Sequence, residues 1–411
     1  MSAPAHGDHR TLTYWPALDG VRALAVAGVL LFHGGVAWLP GGFLGVDAFF
    51  VLSGFLITSL LLAEREQRGR IRLANFWLRR ARRLLPALLV MLIFTVAVFR
   101  DLLPRFEVGL LRGDALAALG YVANWRMIYR GDDYFAQTAA PSVLQHTWSL
   151  GIEEQFYVLW PLLVVVLVAL AGRRARPVLV ALCLAAAAAS AVAAALLFDR
   201  FDVNRSYFGT DTRAQALLIG AALAAALPLL RRRTEPSSPV PARPAPVTPM
   251  LLAVALSALA VIATVGLGWL WTHAHGTDGW LYRGGFAAGG VAVAAVLAQV
   301  VLRPRGVLSR LLGLAPLVWL GRISYGVYLW HWPLFALINA ERTGLSGPGL
   351  LWTRLIATVA VSTVSYVFLE QPIRTGRWPL RRSSPAARPR NATVVFGTTA
   401  AVGATAVFIV V

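Results

Sequence analysis

Apolar stretches about twenty residues long recur along this 411-residue chain, each bounded by short polar segments rich in arginine. Roughly twenty apolar residues are what a helix needs to cross the hydrocarbon layer of a bilayer. The pattern predicts membrane helices over 17–38, 43–63, 84–102, 152–171, 177–198, 211–230, 250–271, 284–302, 313–338, 351–370 and 392–411. A twelfth stretch, 108–129, has the length but is interrupted by Arg112, Asp114, Asn124 and Arg126. The arginine clusters at 65–83, 173–176, 231–233, 303–310 and 374–390 decide how it lies. With the N-terminus inside and 108–129 not crossing, all of them face the cytoplasm; with 108–129 crossing, every cluster after the first moves outside. Basic residues are held on the cytoplasmic side. Segment 103–150 therefore reads as one long outer region with a re-entrant or interfacial helix, tolerated where it packs on protein. This topology puts the N-terminus inside and Val411 outside. The proline-rich segment 231–249 and the tail 377–390 read as extended inner linkers. The predicted fold class is all-α, a polytopic transmembrane helix bundle.

Composition agrees. Hydrophobic residues make up 58% of the chain and the mean hydropathy is +0.65, beyond the range of soluble domains. The net charge of +19 falls in clusters between apolar runs, where it works as a topology signal, so no nucleic-acid partner is expected. Cys183 is the single cysteine and lies inside an apolar run, which excludes a disulfide framework and a CxxC metal site. The first apolar run carries Asp19 and Arg22 and has no A-x-A-like exit, so it does not read as a cleavable signal.

The candidate chemistry starts in that run. Arg22 and His33 are eleven helical steps apart, which returns them to within ~20° of one face, ~16 Å apart along the axis. Titratable groups at membrane depth commonly face a bundle interior and mark a pathway or reaction centre, although a snorkelling Arg and a hydrogen-bonded interhelical His would look the same. Arg79, Arg80 and Arg83 open the third span, and arginine forks suit phosphate oxygens. The alternative is an ordinary basic anchor or a contact with anionic lipid. In HTWSLGIEEQFYVLWP, Glu153 shares a face with Phe156, Tyr157 and Trp160, while Glu154 lies ~100° away. Beside His146 and Trp148 this carboxylate suits acid–base work or acceptor binding; it could also only complement a helix dipole. Asp47 in the second span needs a partner, for which Arg22 is a candidate. Arg322 and His331 are nine residues apart and fall on opposite faces, so His331 reads mainly as a packing or substrate-rim residue. His273 and His275 have no third ligand, so no metal is expected.

Taken in order, LDGVRALAVAGVLLFH, GGFLGVDAFFVLSGFLIT, the RRxxR of Arg79, Arg80 and Arg83, HTWSLGIEEQFYVLWP, YFGTDTRAQALLIG, GRISYGVYLWHWPL and SYVFLEQPIR resemble the acyltransferase-3 family of integral-membrane O-acyltransferases. The resemblance runs from about residue 14 to 374. It implies a ten-helix acyltransferase core, with 392–411 as one additional C-terminal transmembrane helix. The division is then a cytoplasmic tail 1–16, a membrane acyltransferase domain 17–374, a cytoplasmic linker 375–391 and the last helix. Some family members continue into an outer SGNH-hydrolase-like domain, which is not seen here. The implied reaction moves an acyl group, most often acetyl, from cytoplasmic acetyl-CoA to a hydroxyl of a surface glycan, lipid or small molecule, without a metal, in the cytoplasmic membrane.

On that reading Arg79, Arg80 and Arg83 hold the CoA phosphates. His33 is the general base or a transient acyl carrier. Glu153 orients His33 or the acceptor, and Arg22 keeps Asp47 ionised or stabilises charge near the thioester. Asp47, His146, Trp148 and Tyr157 line the substrate. A transporter or flippase is the alternative, but it should show matched internal repeats, and none is apparent.

Overall fold

The computed structural model describes residues 14–135, 141–234 and 247–375, and every regular element among them is helical. In chain order these are α1 (Pro16–His33), α2 (Gly45–Arg68), α3 (Leu73–Phe99), α4 (Arg105–Leu119), α5 (Ala123–Arg130), α6 (Trp148–Ala171), α7 (Ala175–Leu196) and α8 (Asn204–Phe208). They are followed by α9 (Thr210–Thr234), α10 (Val247–His273), α11 (Phe286–Leu302), α12 (Val307–Leu312), α13 (Ala315–Leu337), α14 (Ala340–Thr343), α15 (Gly347–Ser365) and α16 (Gln371–Thr375). Eight stretches among the described residues are long and apolar enough to cross a membrane, and one of these, Gln145–Leu196, contains both α6 and α7. Helix α13 has 23 residues but stands outside that set, because its Arg, His, Trp and Tyr side chains lower its hydropathy. The chain is a multi-pass helical membrane protein. The predicted last span 392–411, the tail 377–390 and most of 1–16 and 231–249 lie outside the described residues.

Segment 108–129 does not form one helix. Tyr121 adopts a left-handed backbone (φ 56°) and separates α4 from α5. At 15 and 8 residues, each is too short to span a bilayer alone. Asp114 on α4 ties the fold-back together: it accepts from Arg126 Nε at 2.6 Å, Arg130 Nη1 at 2.8 Å and Ser142 Oγ at 2.6 Å.

Two close helix contacts position the site. Gly321 on α13 lies against the Asp19 carbonyl of α1, and the Leu312 carbonyl lies against Gly20; a side chain at either glycine would collide with backbone. Gly54 on α2 and Gly220 on α9 likewise face the carbonyls of Leu217 and Val51. Small residues of this kind let helices approach closely where lipid removes the hydrophobic drive to associate. Helices α1 and α13 therefore run together, with Asp19 and Gly321 near one end and His33 and His331 near the other. The outward faces of α10 and α15 keep Val261, Ile262, Trp352 and Ile356 exposed, as a lipid-facing wall requires.

The arginine-rich segments gather at the end of the bundle where α1 begins. Arg176 pairs with Glu66 at 2.6 Å, Leu312 packs on Gly20, and Arg374 lines a recess with Arg83. We call this the basic end and the opposite one the histidine end.

Candidate active site

At the histidine end, His33 closes α1 and His331 sits one turn above Tyr328 on α13. The rings stack with centroids 5.1 Å apart, and His33 Nδ1 lies 3.0 Å from His331 Nε2. His331 Nδ1 is 2.6 Å from the Tyr328 carbonyl oxygen, which can only accept. In uncharged imidazoles this assigns the protons in order. His331 Nδ1–H donates to the carbonyl, His331 Nε2 accepts from His33 Nδ1–H, and His33 Nε2 is left with its lone pair free to accept. The Tyr134 hydroxyl fills that position at 2.8 Å. Burial holds the Tyr134 phenol above its usual range, so it remains a protonated donor. Trp332, 4.6 Å from His33 centroid to centroid, has its indole N–H fixed on the Ser142 carbonyl at 2.8 Å. A cavity of about 550 Å3 opens here, bordered by His33, Trp332, Phe335, Glu107, Arg130 and Arg342.

A second cavity, of about 340 Å3, enters from the basic end. Tyr14 and Asp19 stand at its mouth, Arg22, Arg80 and Arg83 supply positive charge, and an apolar throat of Leu18, Phe49, Leu52 and Leu56 leads inward. Glu153 lines this cavity: it accepts from Ser53 Oγ at 2.8 Å, and Tyr157 donates to Ser53 at 2.8 Å. The Arg80 guanidinium lies 3.8 Å from the centroid of the Tyr157 ring, and its buried Nε has no partner among the described residues. Ser149 and Tyr328 close the inner end, with their hydroxyls 2.6 Å apart. Tyr328 therefore belongs to both sites: its ring borders this cavity and its carbonyl orients His331.

The structure redraws several expected assignments. Asp47 does not meet Arg22, whose only ion pair among the described residues is with Asp19, at 4.0 Å. Asp47 instead takes Arg213 Nη2 on both carboxylate oxygens, at 2.9 and 2.8 Å, with both side chains buried. Arg213 also lies over the Phe286 ring at 3.9 Å, and Asp47 lines neither of these two cavities. Arg79 is exposed and turns away to Glu64 at 3.9 Å, because one residue along α3 rotates a side chain ~100° from Arg80. Glu153 shares the Arg22 cavity and contacts Ser53 and Tyr157 rather than His33. Trp148 is fully buried against Tyr134, Tyr207 and Phe208 and borders neither cavity. His146 is buried too, with Nε2 3.0 Å from the Leu329 carbonyl, and supports the histidine pair from behind. His331, expected mainly as a packing or substrate-rim residue, is the direct partner of His33. Tyr134 and Tyr328 were not singled out by sequence, since an isolated hydroxyl carries no spacing signal. No group of three or more His, Cys, Asp or Glu side chains able to hold a metal is found among the described residues.

Comparison with known proteins follows this geometry. A family model described as an acyltransferase domain matches residues 15–370. The Staphylococcus aureus O-acetyltransferase OatA is 36% identical over 362 residues, covering 88% of this chain and 57% of the relative. The Listeria monocytogenes peptidoglycan O-acetyltransferase OatA is 36% identical over 365 residues, covering 88% and 56%. Bacillus subtilis YrhL, by name a candidate peptidoglycan O-acetyltransferase, reaches 40% over 365 residues, covering 88% and 55%. The chain thus spans somewhat over half the length of these relatives. No solved structure matches it significantly.

Proposed function

The chain belongs to the acyltransferase-3 family, and from that membership we propose that it transfers acetyl from cytoplasmic acetyl-CoA to a hydroxyl of a cell-envelope glycan. Likeness to the named relatives favours peptidoglycan as the acceptor. The basic end is the cytoplasmic face, because basic segments remain inside. The N-terminus is then cytoplasmic and the membrane is the cell's cytoplasmic membrane. Arg80 and Arg83 hold the CoA phosphates at the mouth of the lower cavity, with Arg22 deeper in. The pantetheine arm follows the apolar throat toward Tyr328. Tyr328 and His331 are three residues apart, about 4.5 Å along the helix, so a thioester at the inner end lies close to the histidine pair once the Ser149–Tyr328 contact opens.

The observation that carries this reading is the proton order Tyr134→His33→His331→Tyr328 carbonyl, which keeps His33 Nε2 an acceptor. An acceptor hydroxyl arriving from the outer cavity takes the place of the Tyr134 hydroxyl. Its oxygen bonds to the thioester carbonyl carbon as its proton passes to His33 Nε2. The carbon–sulfur bond breaks, and the CoA sulfur leaves with that proton. His331 accepts from His33 Nδ1–H throughout and so holds the imidazole in the productive tautomer and orientation. Ser53, Tyr157 and Glu153 offer hydrogen bonds to the polar part of the donor arm.

The test is mass spectrometry of envelope glycans from a deletion strain, paired with CoA release by the purified protein in nanodiscs. The O-acetyl group should disappear on deletion and return with the native gene but not with His33→Ala. Unchanged acetylation in the deletion strain rules the reading out.

A further inference from the structure

We propose that a small basic recess beside the donor cavity is a phosphate-monoester site, fitting the 3′-phosphate of a coenzyme A thioester. The proposal rests on the acyl-CoA reading above. Arg83, Arg322 and Arg374, from α3, α13 and α16, converge on this recess together with Tyr325, Tyr366 and Glu370. Arg322 and Arg374 are exposed at its rim and Arg83 is half-buried, so the three guanidinium groups border one concavity that opens to solvent.

Their charge is not spent elsewhere. Arg79, Arg176 and Arg205 each pair with a carboxylate, on Glu64, Glu66 and Asp211. Among the described residues, Arg83, Arg322 and Arg374 make no such pair. Arg322 donates to the Tyr14 hydroxyl at 3.0 Å, and Arg374 stands 6.0 Å from the Tyr366 ring centroid, which leaves most of their N–H groups available. Glu370 is the one carboxylate in the recess, and its Oε1 accepts from Ser365 Oγ at 3.3 Å. Three guanidinium groups against one carboxylate favour an anion, and forked N–H donors suit a phosphate.

Connectivity narrows the ligand. Arg83 and Tyr325 line both this recess and the donor cavity. The 3′-phosphate of coenzyme A sits on the ribose whose 5′ oxygen carries the diphosphate, so two phosphate sites sharing a residue are what that molecule needs. An anionic lipid headgroup offers the same phosphate chemistry without that connection.

The experiment compares kcat/KM for acetyl-CoA and acetyl-3′-dephospho-CoA on the full chain in phosphatidylcholine nanodiscs. The native protein should prefer the phosphorylated thioester by roughly 10- to 100-fold, what one or two charge-assisted hydrogen bonds sustain. Arg322→Gln and Arg374→Gln should each lower the acetyl-CoA value and shrink that preference toward one. Because the preference is a ratio on one sample, a partly inactive preparation does not alter it. The preference should also persist when phosphatidylglycerol is included. No preference in the native protein, or one that both substitutions leave intact, overturns the proposal. Loss of the preference in phosphatidylglycerol assigns the recess to a lipid headgroup and overturns it too. Equal turnover of both thioesters leaves the acyl-CoA reading standing, whereas turnover of neither removes that reading and this site with it.

Discussion

His33 Nδ1 and His331 Nε2 meet at 3.0 Å although 298 positions separate them in the chain. The contact turns two isolated membrane histidines into a unit with a defined proton order, since the Tyr328 carbonyl at the far end admits only a donor. A lone His33 could present either nitrogen to a substrate; the pair presents Nε2.

His33→Ala should therefore remove acyl transfer by ~10²- to 10⁴-fold, the usual contribution of a positioned general base. His331→Ala should act on the same step more weakly, by ~10- to 100-fold, as does loss of a residue that orients a reacting imidazole. The decrease should fall on kcat, with KM for acetyl-CoA little changed. An active His33→Ala protein, or a His331→Ala protein whose loss lies wholly in KM, would refute the pair as the proton-transfer unit.

The basic cluster divides by helix face. Arg80 and Arg83 line the donor cavity, and Arg79 points away to Glu64. Arg80→Lys and Arg83→Lys keep the charge but lose the fork, and each should weaken acetyl-CoA binding measured by calorimetry by about tenfold. Arg79→Lys should leave that affinity within experimental error. Equal losses at all three positions would mean that net charge, rather than the geometry of this cavity, governs binding.

How much of this was legible in the sequence depends on the kind of contact. The Arg22–His33 spacing, the aromatic stripe around Glu153 and the arginine clusters are local patterns, and a helix of known pitch converts them directly into faces and ends. Arg79, Arg80 and Arg83 were read together as one phosphate site, although the same pitch sets Arg79 ~100° from Arg80; which of them faces inward is decided by how α3 lies on its neighbours. The glycines of the second span signalled close helix approach, but which helices meet, and so which side chains pair, had no signal. Asp47 finds Arg213 across 166 positions, and Arg22 was an equally reasonable partner until α2 and α9 met at Gly54 and Gly220. His331 was undervalued for the same reason: its angular position relative to Arg322 on α13 said nothing about α1 lying alongside.

The Asp47–Arg213 pair should reveal itself in stability. Both side chains are buried, so removing one partner strands a charge. Asp47→Ala is expected to cost ~3–5 kcal/mol, the range seen when one member of a buried ion pair is deleted. The double variant Asp47→Leu with Arg213→Leu should recover much of that loss in a thermal melt in detergent. If Asp47→Ala melts like the native protein, the pair carries little of the α2–α9 packing.

The inside-to-outside transfer depends on which end of the bundle faces the cytoplasm. Arg70 is exposed in the α2–α3 turn at the basic end. Thr277 is exposed in the loop after α10, whose Gly276 packs against Phe135 at the histidine end. The positive-inside rule puts Arg70 in the cytoplasm and Thr277 outside. In a Cys183→Ala background, Thr277→Cys should react with an impermeant maleimide in intact cells, and Arg70→Cys only after lysis. The reverse pattern would turn the Arg22–Arg80–Arg83 cavity to the outside, away from any CoA pool, and His33 toward the cytoplasm. No rearrangement within the site could restore transfer to a surface glycan from that orientation, so this labelling result alone would end the proposed mechanism.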